Sequence, residues 1–228
     1  MVFSSDLINE LTKLYINFSK QRCMHRDEIP SELLEYLMGE GLIHLGINNN
    51  ELCINSIVKL ALELVKLGLD VEVISKPLNW RDFEELINEY LNLSGYHVIK
   101  NLRFTRRRYE VDVVGIDEVS GTAVVVDCKH WSPGYSKRGR LIYIAKEHRA
   151  KVEVLAENCA SLLSKYKVLR KARILLPVIV TLTDAIRGYI GGSFIVPVLR
   201  FNDFISNARL YTDTLVGKSD IILNKCYS

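Results

Sequence analysis

Apolar positions recur along this chain with two different periods, and the change of period marks out its elements. Leu7, Leu11, Leu14, Tyr15 and Phe18 share one face of a helix over residues 6–20, with Ser5 or Asp6 available as N-cap. Pro30 suits the first turn of a second helix, in which Leu33, Leu34, Leu37 and Met38 follow at helical spacing until Gly39 and Gly41 end it. LIHLGINNNELCI places two short apolar runs about Asn48, Asn49 and Asn50, the pattern of a β-hairpin. A third amphipathic helix covers residues 56–68 and closes at Gly68.

Pro77 disfavours helix at the residue before it, so a boundary is expected at residues 76–79. The chain then divides into residues 1–76 and 77–228. In the second part Phe83, Leu86, Ile87, Tyr90 and Leu91 stripe a helix over residues 80–93 that ends near Gly95. Strands follow at 96–102, 109–116 and 122–129, the last two valine-rich and paired about residues 118–121. A helix over 151–165, strands at 174–181 and 193–199 and a short helix over 202–207 complete the pattern. The order α-β-β-β-α-β-β-α predicts an α/β domain whose mixed sheet is flanked by helices. Residues 132–150 read as a long connection, taken as a substrate loop. In the first part, helix, helix, hairpin and helix resemble a winged-helix domain. Its candidate recognition helix carries Glu32, Glu35 and Glu40 and no Lys or Arg, which repels phosphate and favours packing or dimerisation over DNA binding.

Charge sharpens this division. The net charge of +3 over 228 residues makes no polycation, yet residues 1–75 hold 6 basic against 11 acidic side chains and residues 100–173 hold 17 against 8. A basic partner surface therefore belongs to the second part, and a protein partner suits the acidic first part. Apolar runs fall well short of the roughly 18 residues of a membrane span, and the N-terminal residues lack the basic and apolar regions of a signal peptide. Five scattered cysteines without a CxxC pair read as reduced thiols in the cytoplasm rather than a disulfide framework.

The candidate chemistry lies on the paired strands. Asp127 and Lys129 stand two apart in VVVDCKHW, so both project from one face while Cys128 projects from the other. Asp112 interrupts the valine-rich YEVDVVG, a costly position for a carboxylate unless it is paired or binds a cation. Arg106, Arg107, Arg108, Lys137, Arg138 and Arg140 flank these residues, with Trp131 among them, an array suited to phosphates and exposed bases. His130, Cys128 and Cys159 have no zinc-ligand spacing, and no GxSxG, Walker or dinucleotide motif occurs.

An Asp on one strand followed by Asp-x-Lys on the next resembles the PD-(D/E)XK nucleases of restriction-endonuclease-like fold. WRDFEELINEYLNLSGYHVIKN and the Asp-Cys-Lys followed by a bulky aromatic are similar to the Mrr-type branch, whose constellation archaeal Holliday-junction resolvases share. FTRRRYEVD departs from that branch, which carries a Gly-rich loop before the strand Asp. The resemblance covers residues 80–205. It implies Glu84, after Phe83, as a third acidic ligand and the Cys128 main-chain carbonyl as an added one. Hard oxygen donors from Glu84, Asp112 and Asp127 suit magnesium or manganese, with Lys129 positioning the attacking water. The expected function is a metal-dependent DNA endonuclease, Mrr-like or structure-specific, in defence or repair, homodimeric and nucleoid-associated. The alternative is an inactive DNA-binding or assembly protein of the same fold. Loss of cleavage on Asp127→Ala discriminates the two.

Overall fold

The computed structural model describes residues 4–48, 50–105, 109–131 and 138–228, with the side chain of Arg138 set apart. Two compact units emerge, Met1–Phe83 and Glu84–Ser228.

In the first unit α1 (Ser5–Lys20) buries Leu11, Leu14, Tyr15 and Phe18, and the Ser4 hydroxyl accepts from the Leu7 N–H as its cap. A three-residue β1 (Cys23–His25) precedes α2 (Ser31–Gly39), the hairpin of β2 (Ile43–Leu45) and β3 (Glu51–Ile54), α3 (Ile57–Lys66) and α4 (Val71–Ser75). The strands form a sheet in the order β1-β3-β2, and β1, too short to be read from periodicity, pairs antiparallel with β3.

That pairing corrects the reading of the cysteines. Cys23 and Cys53 are register partners with Cα atoms 4.0 Å apart and are joined by a disulfide. Cys159 and Cys226 form a second one, in the other unit. Cys128 is free. Partners 30 and 67 residues apart announce nothing by their spacing; only strand register and the return of the C-terminal segment bring them together.

In the second unit the strands run β4 (His97–Phe104), β5 (Tyr109–Asp117), β6 (Thr122–Lys129), β7 (Ile174–Thr181), β8 (Gly188–Ile190), β9 (Ser193–Pro197) and β10 (Ile222–Leu223). They form one mixed sheet in the order β4-β5-β6-β7-β9-β8, with β10 added to β7. β4, β5 and β6 are an antiparallel meander, whereas β6, β7 and β9 are parallel. The expected α/β layering with a helix-flanked mixed sheet is found. Helix α5 (Trp80–Leu93), whose first turn contains the division between the units, buries Leu86, Ile87 and Leu91. It ends at Gly95, where φ is +82°. Gly115 on β5 admits it closely: a Cβ there would lie 2.9 Å from the Leu91 side chain.

Helix α6 (Arg138–Asn158) crosses between the parallel strands β6 and β7. This corrects two expectations, the helix over 151–165 and, for residues 138–150, the substrate loop, since those residues are already helical; residues 132–137 lie outside the described residues. The cause is a divided apolar face. Leu141 and Ala145 pack with Ile179 and Ile195, while Val152, Leu155 and Ala156 join the cluster of Val114 and Val125. With Ile142, Tyr143 and Ile144 also apolar, no single stripe stands out. Two short helices, α7 (Val198–Ser206) and α8 (Ala208–Leu215), follow β9. Among the described residues no helix is long and apolar enough to cross a membrane.

Candidate active site

The sheet alters its pleat where the chemistry lies. β4 and β5 pair in a constant register from His97↔Ile116 to Phe104↔Tyr109, except that Asn101 and Asp112, which that register sets opposite each other, do not pair. Asn101 has φ +50°, a left-handed conformation that Asn tolerates better than most residues. On one side of this break Ile99, Val114 and Ile116 lie in the main buried cluster; on the other Leu102, Phe104 and Val111 lie in the same cluster. Strict alternation would place the two sets on opposite faces, so the break shifts the pleat by one residue in each strand.

The β5–β6 ladder stops at the same point. Its last pair is Val113↔Val126, and the next residues in register are Asp112 and Asp127. In place of a further ladder bond, the backbone N–H of Cys128 donates to Oδ2 of Asp112 at 2.6 Å. Asp127 is buried at 7% exposure and flanked by two lysines. Nζ of Lys129 lies 2.5 Å from its Oδ2 and Nζ of Lys151, from α6, 3.6 Å from its Oδ1. Asp127 Oδ2 meets the Lys129 ammonium as an ion pair and has no other donor among the described residues.

The carboxylates sense one another. Burial, then the charges of Asp112, Glu110 and Asp127, push Glu84 up to about 7. Burial and then Asp127 push Asp112 up to about 6, against the pull of the Cys128 N–H and the lysines. Burial also pushes Asp127 up, but His148, Lys129 and Lys151 outweigh it and hold the group below the ordinary carboxylate range. Burial depresses His148 to about 4, so at neutral pH the ring is uncharged and the lysines carry that stabilisation. Desolvation, followed by the charges of Asp112, Asp127 and Glu84, pushes the Cys128 thiol well up, so this half-buried residue is a neutral thiol rather than a thiolate.

The four residues read from the motif, Glu84, Asp112, Asp127 and Lys129, therefore form one electrostatic cluster. Two further members, His148 and Lys151, lie outside the four residues read from the motif. His148 is 2% exposed, its Nε2–H donates to the Val125 carbonyl at 2.8 Å, and its buried Nδ1 has no partner among the described residues. Leu141, Ala145, His148 and Val152 recur at i, i+4, i+7 and i+11, a signal that would have turned His148 inward had the helix been recognised. A cavity of about 590 Å³ opens beside Asp127 and Lys129, walled by Tyr109, Trp131 and the α6 face carrying Arg140, His148 and Lys151. Trp131 and Arg140 thus stand at the site; Arg106, Arg107, Arg108, Lys137 and the Arg138 side chain lie outside the described residues.

The donor set fits a hard divalent cation in kind: three carboxylates, two of them raised first by burial and then by neighbouring carboxylate charge, and one buried oxygen, Asp127 Oδ2, whose neighbour is a lysine ammonium. Among the described residues no three His, Cys, Asp or Glu side chains close to metal-holding geometry; lysines stand against Asp127 instead.

No curated protein matches the chain. Among solved structures it is similar to Can2 from Sulfobacillus thermosulfidooxidans in complex with cyclic tetra-adenylate, with 14% identity and a TM-score of 0.37 over 92% of this chain and 52% of that one. It is also similar to the protein VC1899 from Vibrio cholerae, with 11% identity and a TM-score of 0.38 over 93% of this chain and 58% of that one. The chain spans a little over half the length of each. Residues 75–154 match the restriction endonuclease family model Mrr_cat, a stretch that holds Glu84, Asp112, Asp127 and Lys129 on the elements just described. That match supports a nuclease-type domain of the PD-(D/E)XK superfamily, and the Mrr-type branch fits it.

Proposed function

We propose that the protein is a metal-dependent DNA endonuclease hydrolysing phosphodiester bonds, Mrr-like or structure-specific, acting in defence or repair. The observation that carries this reading is the convergence of Glu84, Asp112, Asp127 and Lys129 on one cluster, at the break in the β4–β5 register and the end of the β5–β6 ladder. Such an interruption costs backbone hydrogen bonds and is characteristic of a functional site rather than a structural ion pair.

In this reading Glu84, Asp112 and Asp127, with the main-chain carbonyl of Cys128, hold magnesium or manganese. The bound cation would neutralise the phosphate and lower the pKa of an attacking water. Asp112 is oriented by the Cys128 N–H, and Asp127 keeps its negative charge through its lysine neighbours. Lys129 holds the attacking water against the phosphate. Trp131 and Arg140 line the path of the strand, and Arg106, Arg107, Arg108, Lys137 and Arg138 are, from sequence alone, the further phosphate-contacting residues.

A homodimer, with one site per strand, accounts for double-strand cleavage. The acidic residues 1–76, winged-helix-like in element order, serve as the partner- or self-association module, and residues 77–228 as the nuclease. Action on DNA places the protein in the cytoplasm, at the nucleoid. The inactive DNA-binding or assembly reading has one observation on its side, the lysines standing against Asp127 where a cation would bind.

The test is cleavage of supercoiled, linear, single-stranded, flapped and four-way-junction DNA in magnesium and in manganese. Cleavage by the wild type that disappears in Asp127→Ala supports the nuclease. Retained DNA binding without cleavage in either metal supports the inactive reading.

A further inference from the structure

The PD-(D/E)XK motif supplies one lysine, from the strand. Here a second approaches the same carboxylate from another element. Lys151 sits on α6 with its Nζ 3.6 Å from Oδ1 of Asp127, while Lys129 takes Oδ2, and the two side chains are equally accessible at 24% and 25%. Among the described residues the ion pair recorded for Lys151 is with Asp127.

Helix geometry fixes what else Lys151 faces. Arg140, Ile144, Glu147, His148, Lys151 and Val154 recur at three- and four-residue steps and form one wall of the 590 Å³ cavity. The charged groups lining it are the cations Lys129, Arg140 and Lys151 and the carboxylates Asp127 and Glu147. Once Asp127 is engaged by a cation, the cavity presents an excess of positive charge, with Trp131 and Tyr109 as its flat walls. A phosphodiester flanked by bases matches that lining. The separation of 3.6 Å matters as well: Lys151 makes a looser contact than Lys129, and a small rotation of its long side chain carries the ammonium from Asp127 toward the cavity.

We propose that Lys151 is a second phosphate-binding lysine of this site, contacting a non-bridging oxygen of the strand that enters the cavity while Lys129 serves the water. This inference rests on the nuclease reading for its substrate but concerns binding, so the two can fail separately.

The experiment measures binding of a fluorescein-labelled 20-nucleotide DNA, single-stranded and duplex, by anisotropy. Calcium is present, the salt concentration is varied, and the full-length protein is used. Losing one phosphate contact lowers the slope of log K against log salt by about 0.7 to 0.9 and weakens binding roughly three- to tenfold. Lys151→Met is expected to show both changes, Lys151→Arg to keep the wild-type slope, and Lys171→Met, three residues before the start of β7, to behave as wild type. Lys151→Gln stands in should the methionine variant not melt cooperatively like wild type. An unchanged slope in a folded Lys151→Met or Lys151→Gln overturns the proposal even if the wild type cleaves DNA. A lowered slope in a protein that cleaves nothing with either metal upholds it and removes the nuclease reading. A wild type without measurable DNA affinity overturns both.

Discussion

The backbone N–H of Cys128 donates to Oδ2 of Asp112 at 2.6 Å, one residue beyond the last paired rung between their strands. The side chain takes over a bond that the ladder would otherwise make. A carboxylate in the middle of a valine-rich strand is thereby tolerated, and its second oxygen is left for other use.

Substitution at this position should separate stability from chemistry. Asp112→Asn keeps an acceptor for Cys128 N–H and removes repulsion from Asp127, so its melting temperature is expected to equal or exceed that of wild type. Asp112→Ala orphans the N–H and should cost about 1 to 3 kcal/mol. Both are expected to lose divalent-dependent cleavage. Thermal melts beside a plasmid-nicking assay check this.

The carboxyls set a pH signature for the cation-free protein. Glu84, raised to about 7, binds more protons folded than unfolded, so its contribution to stability is present below its ordinary pKa and is lost as pH rises through 7. His148, depressed to about 4, acts oppositely: its contribution is present above its ordinary pKa of about 6.5 and is lost as pH falls toward 4. Glu84→Gln should therefore gain on wild type between pH 5 and 8, and the gain should shrink when magnesium is added. A Glu84→Gln difference that stays flat with pH would remove the carboxylate coupling.

Asn101 is expected to matter to the site as well as to strand β4. Placing a β-branched side chain at φ +50° costs about 1 to 2 kcal/mol and works against the register break facing Asp112. Asn101→Val should lower both the melting temperature and cleavage, while Asn101→Gly should spare cleavage at a smaller stability cost.

The sulfur chemistry is open to direct counting. Unfolded in denaturant without reductant, the oxidised protein should take up one alkylating label, at Cys128; with reductant it should take up five. Chain-entropy reasoning for loops of 30 and 67 residues gives each bridge about 4 kcal/mol, so reductant should lower the melting temperature markedly. Mass spectrometry of the alkylated protein and a paired melt measure both.

The site was legible in sequence where side-chain type and strand period coincide. Asp112, Asp127 and Lys129 fall on valine-rich strands that form as read, and Glu84 falls on the amphipathic α5. What escaped depended on tertiary juxtaposition. Helix α6 divides its apolar residues between two clusters, which hid its first half and with it the inward turn of His148. The register break at Asn101 leaves only a faint trace, the three-residue steps from Ile99 to Leu102 and from Val111 to Val114, and in β5 the equally buried Val113 masks it. The cysteines pair across a three-residue strand and a chain-terminal return, distances that linear spacing does not encode.

The central claim is that Glu84, Asp112, Asp127 and Lys129 form a working nuclease site, and nicking of supercoiled plasmid by wild type and Lys129→Met in magnesium tests it most directly. The account predicts wild-type nicking that chelation abolishes, and at least a roughly hundredfold slower rate for a Lys129→Met that still binds DNA. Equal rates for the two proteins, or a wild type that binds the plasmid and leaves it intact in magnesium and in manganese, would contradict it.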